Sequence, residues 1–359
     1  MRQNLIVILL SVWMRMASGL RVALLTDVEG NWEYVRNVVR QSACLNLNVK
    51  AGKEQLELRD GCMLVFGGDT GDKGEHTLKC YEQLVDLKKR HPDRVVLLVG
   101  NRDVNKMRLT SELRDAEMDL RSMAKEILEG PTWVSKDKRT TLKKFLADQQ
   151  EGEDEGDVDE ALQAANTKVN RLKWMLEHTM GAQGDFERRR AELSSRQEVD
   201  VRKEISDEDV VKSYADSVEE GGVLREFLLH GSLAFITHQT LFVHGGIING
   251  DSEADLSALG RVPDEPSKRF NSVKFRSGSN AQRGVVTMLH VVETTCSSMP
   301  TPLPDQIASL LSESGIRRVI IGHTPHGNCP TVIKQPQQQL DTFTATLERQ
   351  IIGAALHPN

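Results

Sequence analysis

Five times in this chain an apolar run stops abruptly in a polar loop that carries residue types able to bind metal. The run 22–26 ends in Asp27-Val28-Glu29-Gly30-Asn31, the run 63–66 in Gly67-Gly68-Asp69-Thr70-Gly71-Asp72-Lys73-Gly74, and the run 95–99 in Gly100-Asn101-Arg102-Asp103. Later, 240–243 leads into His244-Gly245-Gly246, and 318–321 into Gly322-His323-Thr324-Pro325-His326-Gly327. The first three runs are short and aliphatic, and segments of helical spacing, 32–40 and 77–91, lie between them. Strands alternating with helices pair in parallel, and in open sheets of that kind ligands gather at the carboxyl ends of the strands. One Asp after a strand is commonly a turn or cap former. Five such loops in one chain are not explained by capping.

The pattern breaks between 104 and 221, where the sequence is charged, helix-favouring and nearly free of strand runs. This region reads as a helical insertion, either a cap or a surface excursion. Its stretch 148–160 is acidic and Gly-punctuated, which reads as a solvated, disordered loop rather than a site. The core pattern resumes with a helix at 223–230, a hairpin of 233–237 and 240–243 across His238-Gln239, a helix at 304–314 and the strand 318–321. After Pro330 the signal fades into the Gln-rich 335–339, and 342–347 could supply one more strand. The expected division is a core of 21–103 and 222–335, the insertion 104–221 and a divergent tail 336–359.

Residues 1–20 fit either a signal peptide or an extension before the first strand. Arg2, an apolar run over 5–14, then Ala17, Ser18 and Gly19 suit the former. That alternative places the protein in the secretory pathway, the other in the cytoplasm. The run is too short for a membrane span, and no other segment could form one. A net charge of −6 argues against a broad nucleic-acid-binding face, so substrate phosphates have to be met by local cations or metals. The five cysteines are odd in number and fit neither a zinc knuckle nor a disulfide framework; Cys62 and Cys80 read as core thiols, and Cys329 has no ligand spacing.

In their order these loops resemble the signature of the calcineurin-like metallophosphoesterases: D-x-H, G-D-x-x-D, G-N-H-D/E, a lone H before Gly, and G-H-x-H. The resemblance covers 21–103 and 223–333. The loops at 68–74 and 243–246 are nearest in style to protein serine/threonine phosphatases and dinucleoside-tetraphosphate hydrolases. It implies an α/β fold, a two-sheet sandwich flanked by helices. It also implies hydrolysis of a phosphomonoester or phosphoanhydride in a phosphorylated small molecule, nucleotide or phosphoprotein. By that resemblance Asp27, Asp69 and His326 hold one divalent ion, while Asp69, Asn101, His244 and His323 hold another, with Asp69 shared. Two ions about 3.5–4 Å apart polarise phosphoryl oxygens and lower the pKa of a bridging water. Carboxylate, amide and imidazole ligands suit manganese first, with iron or zinc as alternatives. Asp72 and Asn31 would orient ligands, and Lys73 keeps a cation where the motif often has Arg.

Two positions depart from the signature. Glu29 stands in place of the first His; it either ligates as a harder, anionic donor or fails to reach. Arg102 stands in place of the His that, with the next acid, protonates the leaving oxygen. A guanidinium cannot give up its proton near neutral pH, so Arg102 is expected to bind phosphate, with Asp103 pairing to hold it. General-acid catalysis contributes about 10²–10⁴-fold, so its loss favours leaving groups that need little protonation, phosphoanhydrides or aryl phosphates. Asn105, Lys106 and Arg108 follow on the next turn, where Arg108 either reaches a second phosphate or is an ordinary basic residue. His238 and His290 read as structural. The rival to a hydrolase is a pseudophosphatase, a scaffold that binds a phosphate ligand or a protein.

Overall fold

Aliphatic alternation builds the first sheet. β1 (Arg21–Leu25) is followed by helix Trp32–Gln41, the hairpin β2 (Leu45–Lys50) and β3 (Lys53–Leu58), then β4 (Cys62–Phe66), helix Thr77–Arg90 and β5 (Val95–Leu98). This computed structural model describes residues 20–50, 52–123, 125–131, 134–150, 158–197, 203–245, 302–323 and 331–344. After the insertion come helix Val223–Leu229, β6 (Gly231–Ser232), β7 (Ala234–Thr237), β8 (Thr240–Val243), helix Asp305–Glu313, β9 (Arg318–Ile321), β10 (Thr331–Gln335) and β11 (Leu340–Thr344). The first sheet has the order β1-β4-β5-β6, all parallel. The second has the order β10-β11-β9-β8-β7, with β8, β9 and β11 parallel and an antiparallel strand at each edge.

Because side chains alternate along a strand, each central strand feeds two layers. Leu64 and Phe66 of β4 face the helices, where they join Trp32, Val35, Tyr81, Leu84 and Phe227. Val65 faces the other way and meets Leu98, Phe242, Phe235 and Ile320, which are drawn from both sheets. The far face of the second sheet packs Leu241, Val319 and Ile321 against Ile307, Ala308 and Leu311 of helix Asp305–Glu313. The chain is therefore the two-sheet α/β sandwich that the family resemblance implies, with helices outside both sheets.

Three features go beyond the sequence reading. The hairpin of β2 and β3 is absent from the sequence reading, although Leu45, Leu56 and Leu58 alternate into the core beneath it. Within 336–344 the Gln-rich residues turn, with Gln338 N–H donating to Gln335 O at 3.2 Å, and β11, close to the strand the sequence suggested at 342–347, then inserts between β10 and β9. The insertion is not a surface excursion. Leu142, Leu146, Leu172, Trp174, Met175, Phe186 and Tyr214 belong to the same buried cluster as the first sheet. Residues 1–19, 151–157, 246–301, 324–330 and 345–359 lie outside the described residues, and with them the N-terminal segment, most of the acidic loop, His290, Cys329 and His326. Among the described residues no helix is long and apolar enough to cross a membrane.

Candidate metal centre

The carboxyl ends of β1, β4, β5, β8 and β9 bring Asp27, Glu29, Asp69, Asn101, His244 and His323 into one cluster. The loops are stitched to one another rather than left to their own turns. Asp27 N–H donates to Gly68 O (2.9 Å), Glu29 N–H to Asp69 O (3.0 Å) and Gly30 N–H to Thr70 O (2.7 Å). His323 N–H donates to Asp27 Oδ1 at 3.0 Å, which ties the last loop to the first. Asp27, Glu29, Asp69, Asp72 and His323 all take positive φ, between 47° and 97°. Backbone strain of this kind persists only where the surroundings over-determine it, and the cross-loop bonds do so here. Gly100 has to be a glycine, since a Cβ there would lie 2.1 Å from Asp69 Oδ1 and 2.4 Å from Asp69 N.

The Asp103 carboxylate organises two of these loops from below. It accepts from the N–H groups of Asp69 (2.9 Å), Thr70 (3.0 Å) and Gly100 (2.8 Å), and from the Tyr81 hydroxyl (2.6 Å). The ion pair expected between Asp103 and Arg102 is thus not the arrangement found; the four donors to Asp103 are three main-chain groups and a phenol. Asn31, expected to orient a ligand, instead caps helix Trp32–Gln41 by accepting from Tyr34 N–H. Arg108 is turned to Glu112 and to the Thr179 hydroxyl. His238 sits with Gln239 at positive φ in the exposed turn between β7 and β8.

Asn101 Oδ1 lies 3.2 Å from His244 Nε2, 3.0 Å from His323 Nδ1 and 3.3 Å from each Asp69 carboxylate oxygen. His244 Nδ1 is 2.7 Å from Gly67 O. A carbonyl can only accept, so Nδ1 carries a proton and Nε2 is the nitrogen left to ligate a cation. Amide oxygen, carboxylate and imidazole lone pairs therefore converge on one point. Rotating the Asn101 amide would let its NH₂ serve them; a divalent cation would serve all of them at once. Ligand atoms of Asp69, His244 and His323 fall within 4.8 Å of one another, and this donor set fits a borderline divalent ion.

The local electrostatics agree. Burial opposes a charged His244, but Asp69, Asp27 and the Gly67 carbonyl outweigh it and push the imidazole up to about 10, so with no ion bound a proton on Nε2 meets the charge that a divalent cation would otherwise meet. Burial raises Asp69, yet His244 and Arg102 hold it below the usual carboxylate range. Burial and the neighbouring His244 push His323 down to about 4, leaving it a neutral donor. Burial, with Asp69 and Glu29 nearby, lifts Asp27 to about 7 despite His244. The cluster is one of buried negative charge that favours a cation at its centre.

Cations ring the other side. Arg102 Nε is 3.0 Å from Glu29 Oε1 and 3.5 Å from Asp69 Oδ2, and Arg102 NH1 is 3.6 Å from Asp72 Oδ2. Among the described residues Nε has no partner in hydrogen-bonding alignment, so its contact with Glu29 is one of charge. Lys73 Nζ is 2.8 Å from the same Glu29 oxygen. Lys106 Nζ, fully buried, lies 2.6 Å from both Asp72 oxygens. Lys106 was visible only as a basic residue; its spacing of four from Arg102 puts both on one helical face. The insertion adds two groups that no motif marks: Gly181 O accepts from Arg102 NH1 at 3.0 Å, and Arg188 NH2 donates to Asp72 O at 2.8 Å. Glu192, also from the insertion, accepts from Leu78 and Lys79 N–H, both at 2.9 Å, and so caps helix Thr77–Arg90, whose own N-cap His76 makes no side-chain bond.

The chain is similar to a solved cold-active protein tyrosine phosphatase at 11% identity and a TM-score of 0.44, over 91% of this chain and 69% of that one. A cold-active protein-tyrosine phosphatase of a psychrophile Shewanella sp. matches at 13% identity and a TM-score of 0.45, over 91% and 71%. A protein serine/threonine phosphatase from Saccharomyces cerevisiae with similarity to human phosphatase PP5 matches at 12% identity and 0.39, over 91% and 68%. No curated protein matches the chain. The model of the calcineurin-like phosphoesterases matches residues 20–327, a span that holds every loop of the centre, and the chain belongs to that family.

Proposed function

We propose that this chain hydrolyses a phosphomonoester or phosphoanhydride at a divalent-metal centre, with a preference for leaving groups that need little protonation. The observation that carries the reading is the convergence of Asn101 Oδ1, His244 Nε2, His323 Nδ1 and the Asp69 carboxylate on one point. A divalent ion there, manganese before iron or zinc, supplies Lewis acidity toward a phosphoryl oxygen and a water of lowered pKa. Asp69, Asn101, His244 and His323 are the residues that would hold it. The family resemblance adds a second set, Asp27, Glu29, His326 and the shared Asp69; there Glu29 is already paired with Arg102 and Lys73.

The chain's own groups do the rest. The Arg102 guanidinium, edged by Glu29 and Asp69 and braced by the Gly181 carbonyl, is fixed in place to neutralise phosphoryl charge as the leaving oxygen departs. Lys73, half exposed beside Glu29, is the cation nearest to solvent and suits steering of an anionic substrate. Asp103 keeps the Asp69 and Asn101 loops in register through main-chain bonds rather than by moving a proton. Arg102 stands where the family signature has a proton-donating His, and a guanidinium keeps its proton near neutral pH, which favours nucleotide anhydrides and aryl phosphates over alkyl phosphoesters.

The test is hydrolysis of p-nitrophenyl phosphate and diadenosine tetraphosphate by the purified protein with manganese, iron or zinc, beside Asp69→Asn. Turnover by the wild type and a loss of about 10² or more in the variant support the reading. A wild type as inert as Asp69→Asn with every metal leaves the pseudophosphatase, a binder of phosphate ligands or proteins, as the function.

A further inference from the structure

We infer that this centre takes one divalent ion and not two, with the Arg102 guanidinium holding the second cation position between Glu29 and Asp69. The inference rests on the metal-dependent reading above. A second ion of the expected kind needs the Glu29 and Asp69 carboxylates to converge on it. They do converge, but on Arg102 Nε, at 3.0 and 3.5 Å. Lys73 Nζ takes the same Glu29 oxygen at 2.8 Å, so that oxygen already serves two cations.

The guanidinium is not a loose side chain that yields to a metal. Its side chain is 13% exposed. From behind, Gly181 O and the Asp72 carboxylate hold NH1, and Asp72 is itself held by buried Lys106 and by Arg188 from the insertion. Moving Arg102 aside would unpair several buried charges together. A divalent ion placed among those carboxylates with Arg102 in position would meet a like charge at contact distance.

Charge at the pair points the same way: the Glu29 carboxylate already faces both Lys73 and Arg102, so it has no unmet charge to offer a second divalent ion. The two departures from the family signature thus become one exchange. An acid replaces one His and a guanidinium the other, and the replacements pair with each other.

The experiment counts ions. Purified wild type is equilibrated with manganese, and bound metal per chain is read by elemental analysis, isothermal titration calorimetry and the electron paramagnetic resonance spectrum. The expected result is one ion per chain with the six-line spectrum of isolated manganese, lost in Asp69→Asn. The double variant Glu29→His with Arg102→His is expected to take two ions and give the spectrum of an exchange-coupled pair. Two ions in the wild type, or a coupled spectrum there, overturn the inference, and do so whether or not the double variant folds. A wild type with two ions that still turns over substrate leaves the phosphoesterase reading standing. One ion in a wild type that hydrolyses nothing does the reverse.

Discussion

Glu29 Oε1 lies 3.0 Å from Arg102 Nε, so the two residues by which this chain departs from its family's signature are partners. Loop stitching on one side and the insertion on the other set that distance. Glu29 N–H is held by Asp69 O, and Arg102 N–H by Asp69 Oδ1, both at 3.0 Å, so one aspartate positions both ends of the pair.

Arg102→Met is expected to lower kcat/KM for p-nitrophenyl phosphate by about 10²–10³-fold, the loss typical of one pre-organised group facing developing charge. Arg102→Lys should recover only part of this, because an ammonium lacks the planar fork. Initial rates at saturating manganese decide it; equal rates in all three proteins would remove Arg102 from the chemistry.

Lys106→Met leaves the Asp72 carboxylate buried without its closest cation. Breaking a buried pair from one side costs about 3–5 kcal/mol, whereas replacing both partners is nearly neutral. Urea unfolding should therefore show a large loss in Lys106→Met and most of it restored in Lys106→Met with Asp72→Asn. Additive losses in the double variant would mean that the pair does not act as a unit.

Gly100→Ala should weaken manganese binding by about tenfold or more, since its Cβ would press within 2.1 Å of Asp69 Oδ1 and displace a ligand. Calorimetry reads this directly. Undiminished affinity would show that the loop gives way without moving Asp69.

Glu54 pins the hairpin to the helices: it accepts from Trp32 Nε1 (2.6 Å), Arg36 Nε (2.9 Å) and Lys79 Nζ (2.9 Å). Its bonds to Arg36 above all hold its pKa down to about 2, against an ordinary 4.5. A lowered folded-state pKa means stability that is present above pH 4.5 and lost as pH falls through about 2. Glu54→Gln should lower stability at pH 7 by about 1 kcal/mol, a value discounted for solvent screening. Denaturation from pH 7 to 2 should show the gap between wild type and variant closing below pH 4.5. A gap that stays constant with pH would assign the effect to packing.

Much of the core was legible because aliphatic runs and their stops are local. The strand at 318–321 and the turn at His238-Gln239 are where alternation and turn chemistry put them. The hairpin at 45–58 escaped because its alternation is filled with Asn, Glu and Lys, residues that weaken an apolar signal although Leu45, Leu56 and Leu58 are buried. The strand at 340–344 was placed two residues late, at 342–347, because the Gln-rich turn before it hides where its pairing with β10 begins. Asp103 was misassigned for a related reason: adjacency to Arg102 suggested a pair, but the two side chains leave the helix start in different directions.

What the sequence by itself determined is the set of strand-end loops that carry the candidate ligand residues, and the family to which the chain belongs, because each loop is written in consecutive residues after its own apolar run. What only the tertiary structure decided is whom those side chains answer to. Glu29 meets Arg102 across 73 positions, and Gly181 and Arg188 reach the same loops from inside the insertion. A carboxylate's role depends on the nearest cation, and which cation is nearest is set by how the sheets and the insertion pack.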